Sequence, residues 1–249
     1  MQLTQSTNAL RQQGEHPMKR RRCPGRIHYT VALLLACLGV LFTSGSAVAR
    51  PPCVSSLSKC DSSGCGGDGD LNQMKNRTDE PSEFEEWTVS EVLTWEYPSK
   101  SEWSERSELE EWGDGAPVRL TGYLIYAAVT KTPESCNCYL TGGANNDFHL
   151  NLVGSKSDLK TESVVAEITP RFRPEGWDIA KLKSLAKKNA YVRMTGWLML
   201  DTMHLGGSQG RGTPWEVHPV TECEVCTSTK ANCDKDKPGV WKPLADYEE

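Results

Sequence analysis

Two stretches of this chain nearly repeat each other: Ala116-Pro-Val-Arg-Leu-Thr-Gly-Tyr-Leu124 and Ala190-Tyr-Val-Arg-Met-Thr-Gly-Trp-Leu198. Both read Val-Arg-apolar-Thr-Gly-aromatic-Leu and alternate in a period of two, which sends alternate side chains to opposite faces of a strand. A glycine in the middle of a strand marks a bend, a bulge or a close approach of two backbones. Two such strands, separated by shorter strands and one helix, predict a small closed barrel.

The pattern from Ala116 onward supports that reading. Strands are expected at 118–129, 147–153, 163–169 (stopped by Pro170), 190–201 and 215–225. Residues 178–189 read as a helix, with Ile179, Leu182, Leu185 and Ala186 on one face and four lysines elsewhere. Asp178 suits its start and Asn189 its end. Three strands, a helix and two strands is the order of an OB-fold, a five-stranded Greek-key barrel with one helix between strands three and four. An antiparallel sandwich with one crossover helix is the competing architecture. The long loops between strands one and two and between four and five favour the barrel.

Residues 1–49 have the layout of a secretory signal peptide. Met18-Lys-Arg-Arg-Arg22, which can itself serve as the start, precedes an apolar run of 12 residues from Val31 to Phe42, and Ala47-Val-Ala49 supplies a cleavage site. The run is short for a bilayer-spanning anchor, the competing reading. Export to a periplasm, cell envelope or medium follows, with no transmembrane span after removal of the signal. Cleavage takes six basic residues and one acid, leaving 22 basic and 32 acidic residues, a net charge of −10. Nucleic-acid binding draws on cationic patches that displace counterions, so nucleic acid is weakly supported as a partner. The expected divisions are a signal (1–49), a Cys/Gly-rich loop with an acidic Trp-containing segment (50–115), the barrel (116–226) and a C-terminal tail (227–249).

Eight cysteines remain in the mature chain: Cys53, Cys60, Cys65, Cys136, Cys138, Cys223, Cys226 and Cys233. An even number in an exported protein points to disulfides, whose connectivity spacing does not reveal. Cys136-x-Cys138 and Cys223-x-x-Cys226 are the alternative, as tetrahedral zinc ligands. Asp68-Gly-Asp70-Leu-Asn72 partly matches a calcium loop, departing from it where Gln73 replaces the turn glycine. Asn76-Arg-Thr78 is a glycosylation sequon, meaningful only in a eukaryotic host. Residues 79–112 hold 12 acids and two bases, with Trp87, Trp95, Trp103 and Trp112 spaced through them. These aromatics are expected to anchor the segment to the barrel; binding a sugar or partner is the alternative.

Alternation places Phe148, Leu150 and Leu152, then Val164, Ala166 and Ile168, inside the barrel. His149 and Asn151, then Val165 and Glu167, then Glu216 and His218 point outward. His149, Glu167 and His218 form one row if their strands are neighbours ~4.8 Å apart. Two imidazoles and a carboxylate suit a first-row divalent metal with an open position, or general acid–base catalysis. Hydrogen-bonded surface residues without a common role are the competing reading. Asn151, Arg171, Arg193, Asp201, His204, Arg211 and Trp215 are the expected ligand-binding residues around the row. Lys131 and Arg173 add positive charge, and Tyr123, Tyr126 and Trp197 offer stacking surfaces.

Glu134-Ser-Cys-Asn-Cys138, Asp147-Phe-His-Leu-Asn-Leu152, Val164-Val-Ala-Glu-Ile-Thr-Pro-Arg171, Val192-Arg-Met-Thr-Gly-Trp-Leu-Met-Leu-Asp201 and Arg211-Gly-Thr-Pro-Trp-Glu-Val-His-Pro219 resemble segments of a group of exported bacterial proteins of unassigned function. Gly66-Gly-Asp-Gly-Asp-Leu-Asn-Gln-Met-Lys-Asn-Arg77 resembles their N-terminal element. The resemblance spans roughly residues 60–226 and implies an OB-like barrel; it implies no activity. The barrel order it carries, 1-2-3-5-4-1, makes strands two, three and five neighbours. Three readings follow. The first is an exported module that binds an oligonucleotide, a glycan or a protein. The second is a metal-dependent hydrolase or phosphodiesterase using His149, Glu167 and His218. The third is a disulfide-stapled envelope protein.

Overall fold

The computed structural model describes residues 50–206 and 210–248; the expected signal peptide lies outside them. Helix α1 (Gly69–Lys75), strand β1 (Glu85–Thr88) and helix α2 (Val89–Val92) precede the barrel strands β2 (Pro117–Val129), β3 (Phe148–Val153) and β4 (Val164–Ile168). Helix α3 (Ile179–Lys187), β5 (Tyr191–Leu200), β6 (Trp215–Cys226), α4 (Lys230–Cys233) and β7 (Trp241–Pro243) complete the chain. Hydrogen bonding runs β2-β3-β4-β6-β5 and returns from β5 to β2, closing the barrel in the OB order. The sandwich alternative falls to this closure.

The glycines of the repeated motif make the closure sterically feasible. Strand β2 pairs with β5 over Pro117–Tyr123 and with β3 over Tyr123–Val129. At the changeover, a Cβ on Gly122 would stand 2.6 Å from a Val89 methyl and 3.0 Å from the Val153 carbonyl oxygen. On β5, a Cβ on Gly196 would stand 2.2 Å from the carbonyl oxygen of Pro219, and the β5–β6 register shifts there. Gly196 is a close approach to backbone, while at Gly122 a Cβ would first displace a valine methyl, with backbone just beyond it.

The interior is apolar, as alternation dictates. Leu120, Leu124, Leu150, Leu152, Ile168, Met194 and Leu198 are buried, and α3 adds Leu182 and Leu185. The Asp178 carboxylate caps α3 by accepting from the Lys181 amide at 2.8 Å. Asn189, just past the helix, has φ +47°, a conformation asparagine tolerates well.

The acidic segment is docked on the barrel. Strand β1 pairs in parallel with β2 at Val118–Thr121, an edge that β3 leaves uncovered. Trp87, Trp95, Trp103 and Trp112 pack against the core, and Trp87 meets Trp95 edge-to-face at 4.9 Å. The tail after Cys226 also packs: β7 pairs with β6, and Leu244 is fully buried. Among the described residues, no helix is long and apolar enough to cross a membrane.

Among the described residues three disulfides form: Cys53–Cys65, Cys60–Cys138 and Cys226–Cys233. Cys136 and Cys223 stay as buried thiols, correcting the expectation that all eight pair. The zinc alternative fails because Cys138 and Cys226 are both oxidised. Cys223 and Cys226 are three residues apart on β6, so they face opposite sides of the sheet; Cys223 enters the apolar core. The partial calcium loop is instead the start of α1. Asp68 caps that helix, and Asn72 is buried, donating to the carbonyls of Ser63 and Gly66. Asn76 is buried as well, its amide donating to the Ser62 and Cys136 carbonyls, so the folded sequon is closed to a glycosylating enzyme.

Candidate functional site

Strand pairing brings the His–Glu–His row together. His149 and Glu167 are direct cross-strand partners on β3 and β4. Parallel pairing of Ala166 with Val217 places His218 beside Glu167. His149 Nδ1 lies 2.9 Å from Glu167 Oε1, and His218 Nδ1 lies 3.2 Å from Glu167 Oε2. Two further acids join them. Asp147 Oδ2 stands 3.4 Å from His218 Nε2, and His218 Nδ1 hydrogen-bonds Glu216 Oε1 at 3.3 Å.

The polar network continues beyond the row. Arg211 Nη1 donates to Glu216 Oε2 and to Asp201 Oδ2, each at 2.8 Å, and Asp201 also bonds His204 Nδ1. A connected line of polar and ionisable side chains therefore crosses the outside of the barrel from His149 to His204.

This outward-pointing row does not meet solvent, because the face is sealed. Exposure of the side chain is 25% for His149, 8% for Glu167 and 0% for His218 and Asp147. The seal is the Cys-rich segment. The Cys60–Cys138 disulfide ties it to the β2–β3 loop. Arg171 clamps it, donating from Nη1 to the Cys60 carbonyl and from Nη2 to those of Asp61 and Cys136. From α1, Lys75 Nζ reaches Glu134 Oε1 at 3.1 Å. A cleft of about 630 Å³ lined by Asp70, Met74, Arg77, Arg106 and Glu110 shares none of the row's residues.

Burial shapes the electrostatics. It pushes the Asp147 carboxyl up to about 8, with Glu134 adding to the effect and His218 opposing it. Burial also pushes Glu167 upward, but His218 and the His149 hydrogen bond outweigh it and hold this carboxyl well below the usual range. His218 is pulled down by burial and raised by Glu167 and Glu216, with a net rise. In Glu216, burial and Glu167 act upward; the His218 bond and Arg211 prevail and lower it.

Three atoms at the centre lack hydrogen-bond partners: Asp147 Oδ2, Glu167 Oε2 and His218 Nε2. One ligand-type atom from each of these residues lies within 4.8 Å of the others, so the three could hold a metal ion. Each residue's remaining polar atom is supported. Asn137 donates to Asp147 Oδ1 at 3.1 Å, His149 engages Glu167 Oε1, and Glu216 engages His218 Nδ1. Metal-binding carboxylates and imidazoles are generally oriented by partners of this kind.

The expected ligand-binding residues fare differently. Asp201, His204 and Arg211 belong to the network. Asn151 is buried, donating to Ser163 Oγ at 2.8 Å, and Arg171 is spent on the seal. Arg193 lies apart, paired with Glu224 and Asp236 and stacked over Trp241. Trp215 is wholly buried, and its indole donates to the Glu96 carbonyl; it is core, with no face to offer a ligand. Of the stacking surfaces, Arg77 covers Trp197 at 3.3 Å, Tyr123 packs on Tyr191, and Tyr126 stays exposed beside His149. Arg173 donates to the carbonyls of Gly143, Asn146 and Ile168.

The sequence reading missed Asp147, Glu134 and Lys75, gave Glu216 no role, and considered Cys136 only for a disulfide or a zinc site with Cys138. Parity was the available signal for two of them. Asp147 lies two residues before His149, and Glu216 two before His218, so each shares its histidine's face. The chain matches no family model, no curated protein and no solved structure.

Proposed function

We propose that this protein is an exported, disulfide-stapled binding module whose ligand is a first-row divalent cation held by Asp147, Glu167 and His218. The observation that carries this reading is a buried Asp147–Glu167–His218 cluster whose facing atoms lie in ion-pair range of one another without a hydrogen bond, each on a residue whose other polar atom is hydrogen-bonded. Two carboxylates and an imidazole suit such an ion. His149, expected as a ligand, becomes a positioning residue because its Nδ1 is engaged by Glu167. The seal disfavours an oligonucleotide or a glycan at this face. Export is supported by the three disulfides.

Loading the purified mature protein with Zn²⁺ followed by elemental analysis tests the reading. Bound zinc that survives desalting is expected, and Asp147→Asn and His218→Ala should lose it. Wild-type protein that emerges without metal overturns the proposal.

Metal-assisted hydrolysis is the second reading, favoured by the partial exposure of His149 at the rim of the cluster. With Nδ1 held by Glu167, Nε2 is the ring nitrogen left for proton transfer. Hydrolysis of an activated phosphodiester by the zinc-loaded protein, lost in His149→Ala with zinc retained, is the expected result. Absence of turnover in the loaded wild type removes this reading.

A further inference from the structure

We propose that Glu134, Cys136 and Asp147 form a second metal position next to the first, so that the shared Asp147 carboxylate bridges a pair of zinc-class cations. This inference rests on the metal-binding reading above. Ligand-type atoms of Glu134, Cys136 and Asp147 all lie within 4.8 Å of one another, and Asp147 belongs to both groups. Carboxylate-rich two-metal sites hold their ions roughly 3.5–4 Å apart, a spacing that one shared carboxylate can span.

The second group repeats the pattern of the first. Glu134 Oε1 is fixed by Lys75, while its Oε2 is buried and has no hydrogen-bond partner. Asp147 Oδ1 is fixed by Asn137, while its Oδ2 has none. Asp147 is fully buried, so this oxygen, which faces His218 Nε2 at 3.4 Å without a hydrogen bond, is not turned to solvent.

Cys136 supplies the choice of metal. Among the described residues, the two thiols outside the disulfides occupy opposite environments. Cys223 is part of the apolar cluster with Val192, Met194 and Val225, where a thiol is a small hydrophobe. Cys136 is just as buried but sits between two carboxylates, where its weak S–H can satisfy little. As a thiolate it selects zinc-like ions over magnesium, calcium or manganese.

The test uses mature protein with its disulfides intact, dialysed against Zn²⁺ and then desalted. Two zinc equivalents are expected in the wild type and one in Cys136→Ser. Substitution with Co²⁺ should add a near-ultraviolet sulfur-to-cobalt charge-transfer band in the wild type, absent from Cys136→Ser. One equivalent in the wild type, or two retained in the variant, overturns the second position and leaves the first standing. No zinc in the wild type overturns both. Should Cys136→Ser fail to fold, the cobalt band of the wild type decides alone, and its absence overturns the thiolate ligand.

Discussion

Strands β3, β4 and β6 have two buried faces, and the two are built by opposite rules. Inward, Leu150, Leu152, Val164, Ala166 and Val217 pack an apolar core. Outward, Asp147, His149, Glu167, Glu216 and His218 pack against one another beneath a separate segment. The inner face drives folding through apolar burial. Its outer counterpart places carboxylates out of water, where desolvation offsets much of the attraction between charges. A barrel needs only the first face, and an apolar cover over an apolar second face would be at least as stable. Under the proposed function, the ion held by Asp147, Glu167 and His218 is what the polar outer face is kept for.

The largest expected effect concerns the cover that separates the polar face from solvent. Cys60–Cys138 closes a loop of 78 residues, so replacing both cysteines by alanine should lower stability by ~4 kcal/mol through the unfolded-state entropy. Urea denaturation reads this loss. Amide exchange should quicken in residues 60–76 while the β2–β6 barrel amides stay protected. Uniform loss of protection would show that cover and barrel are one cooperative unit. On the inner face, Leu150→Ala should cost about 2–5 kcal/mol by leaving a cavity beneath a fully buried site. That variant should still bind zinc, since Leu150 faces away from the cluster. Loss of zinc from a folded Leu150→Ala protein would contradict the independence of the two faces.

Metal addition gives the next effect in size. An ion that binds only the folded state adds RT ln(1 + [L]/Kd), or ~2.7 kcal/mol at a hundredfold excess over Kd. Zinc should raise the melting temperature of the wild type accordingly and leave Asp147→Asn unmoved. An equal shift in both proteins would assign the stabilisation to other zinc contacts and break the proposed link to the outer face.

Alternation made the inner face legible from sequence, because a period of two needs no knowledge of partners. It located each of the five barrel strands to within about a residue, along with the helix and the row of His149, Glu167 and His218. The same parity also placed Asp147 and Glu216 on that row, although the reading concentrated on histidines and left these acids without a role. The cover was not legible. Residues 50–76 have no periodicity, and neither the pairing of Cys60 with Cys138 nor the arrival of Lys75 at Glu134 can be derived from spacing. Trp215 was misread because a tryptophan at the start of a strand looks the same in sequence whether it faces a ligand or the core.

The smallest expected effect comes from an ion pair with no cover. Lys230 and Asp234 are four residues apart, with Nζ and Oδ2 at 2.6 Å and both side chains about 40% exposed or more. Water already solvates such charges, so the pair is worth ~0.5 kcal/mol or less. Burial pushes the Asp234 carboxyl up, but Lys230 and the Tyr191 hydroxyl outweigh it and hold it below its ordinary value. A carboxyl lowered on folding stabilises above its unfolded pKa, about 4, and loses that contribution as pH falls through the folded value. Asp234→Asn should therefore unfold at nearly the same urea concentration as the wild type at pH 7, and its small deficit should vanish in acid and in high salt. A loss above ~1 kcal/mol, insensitive to salt, would mean that charges on this barrel's open surface contribute as strongly as those under the cover, and the distinction between sealed and open polar faces would fail.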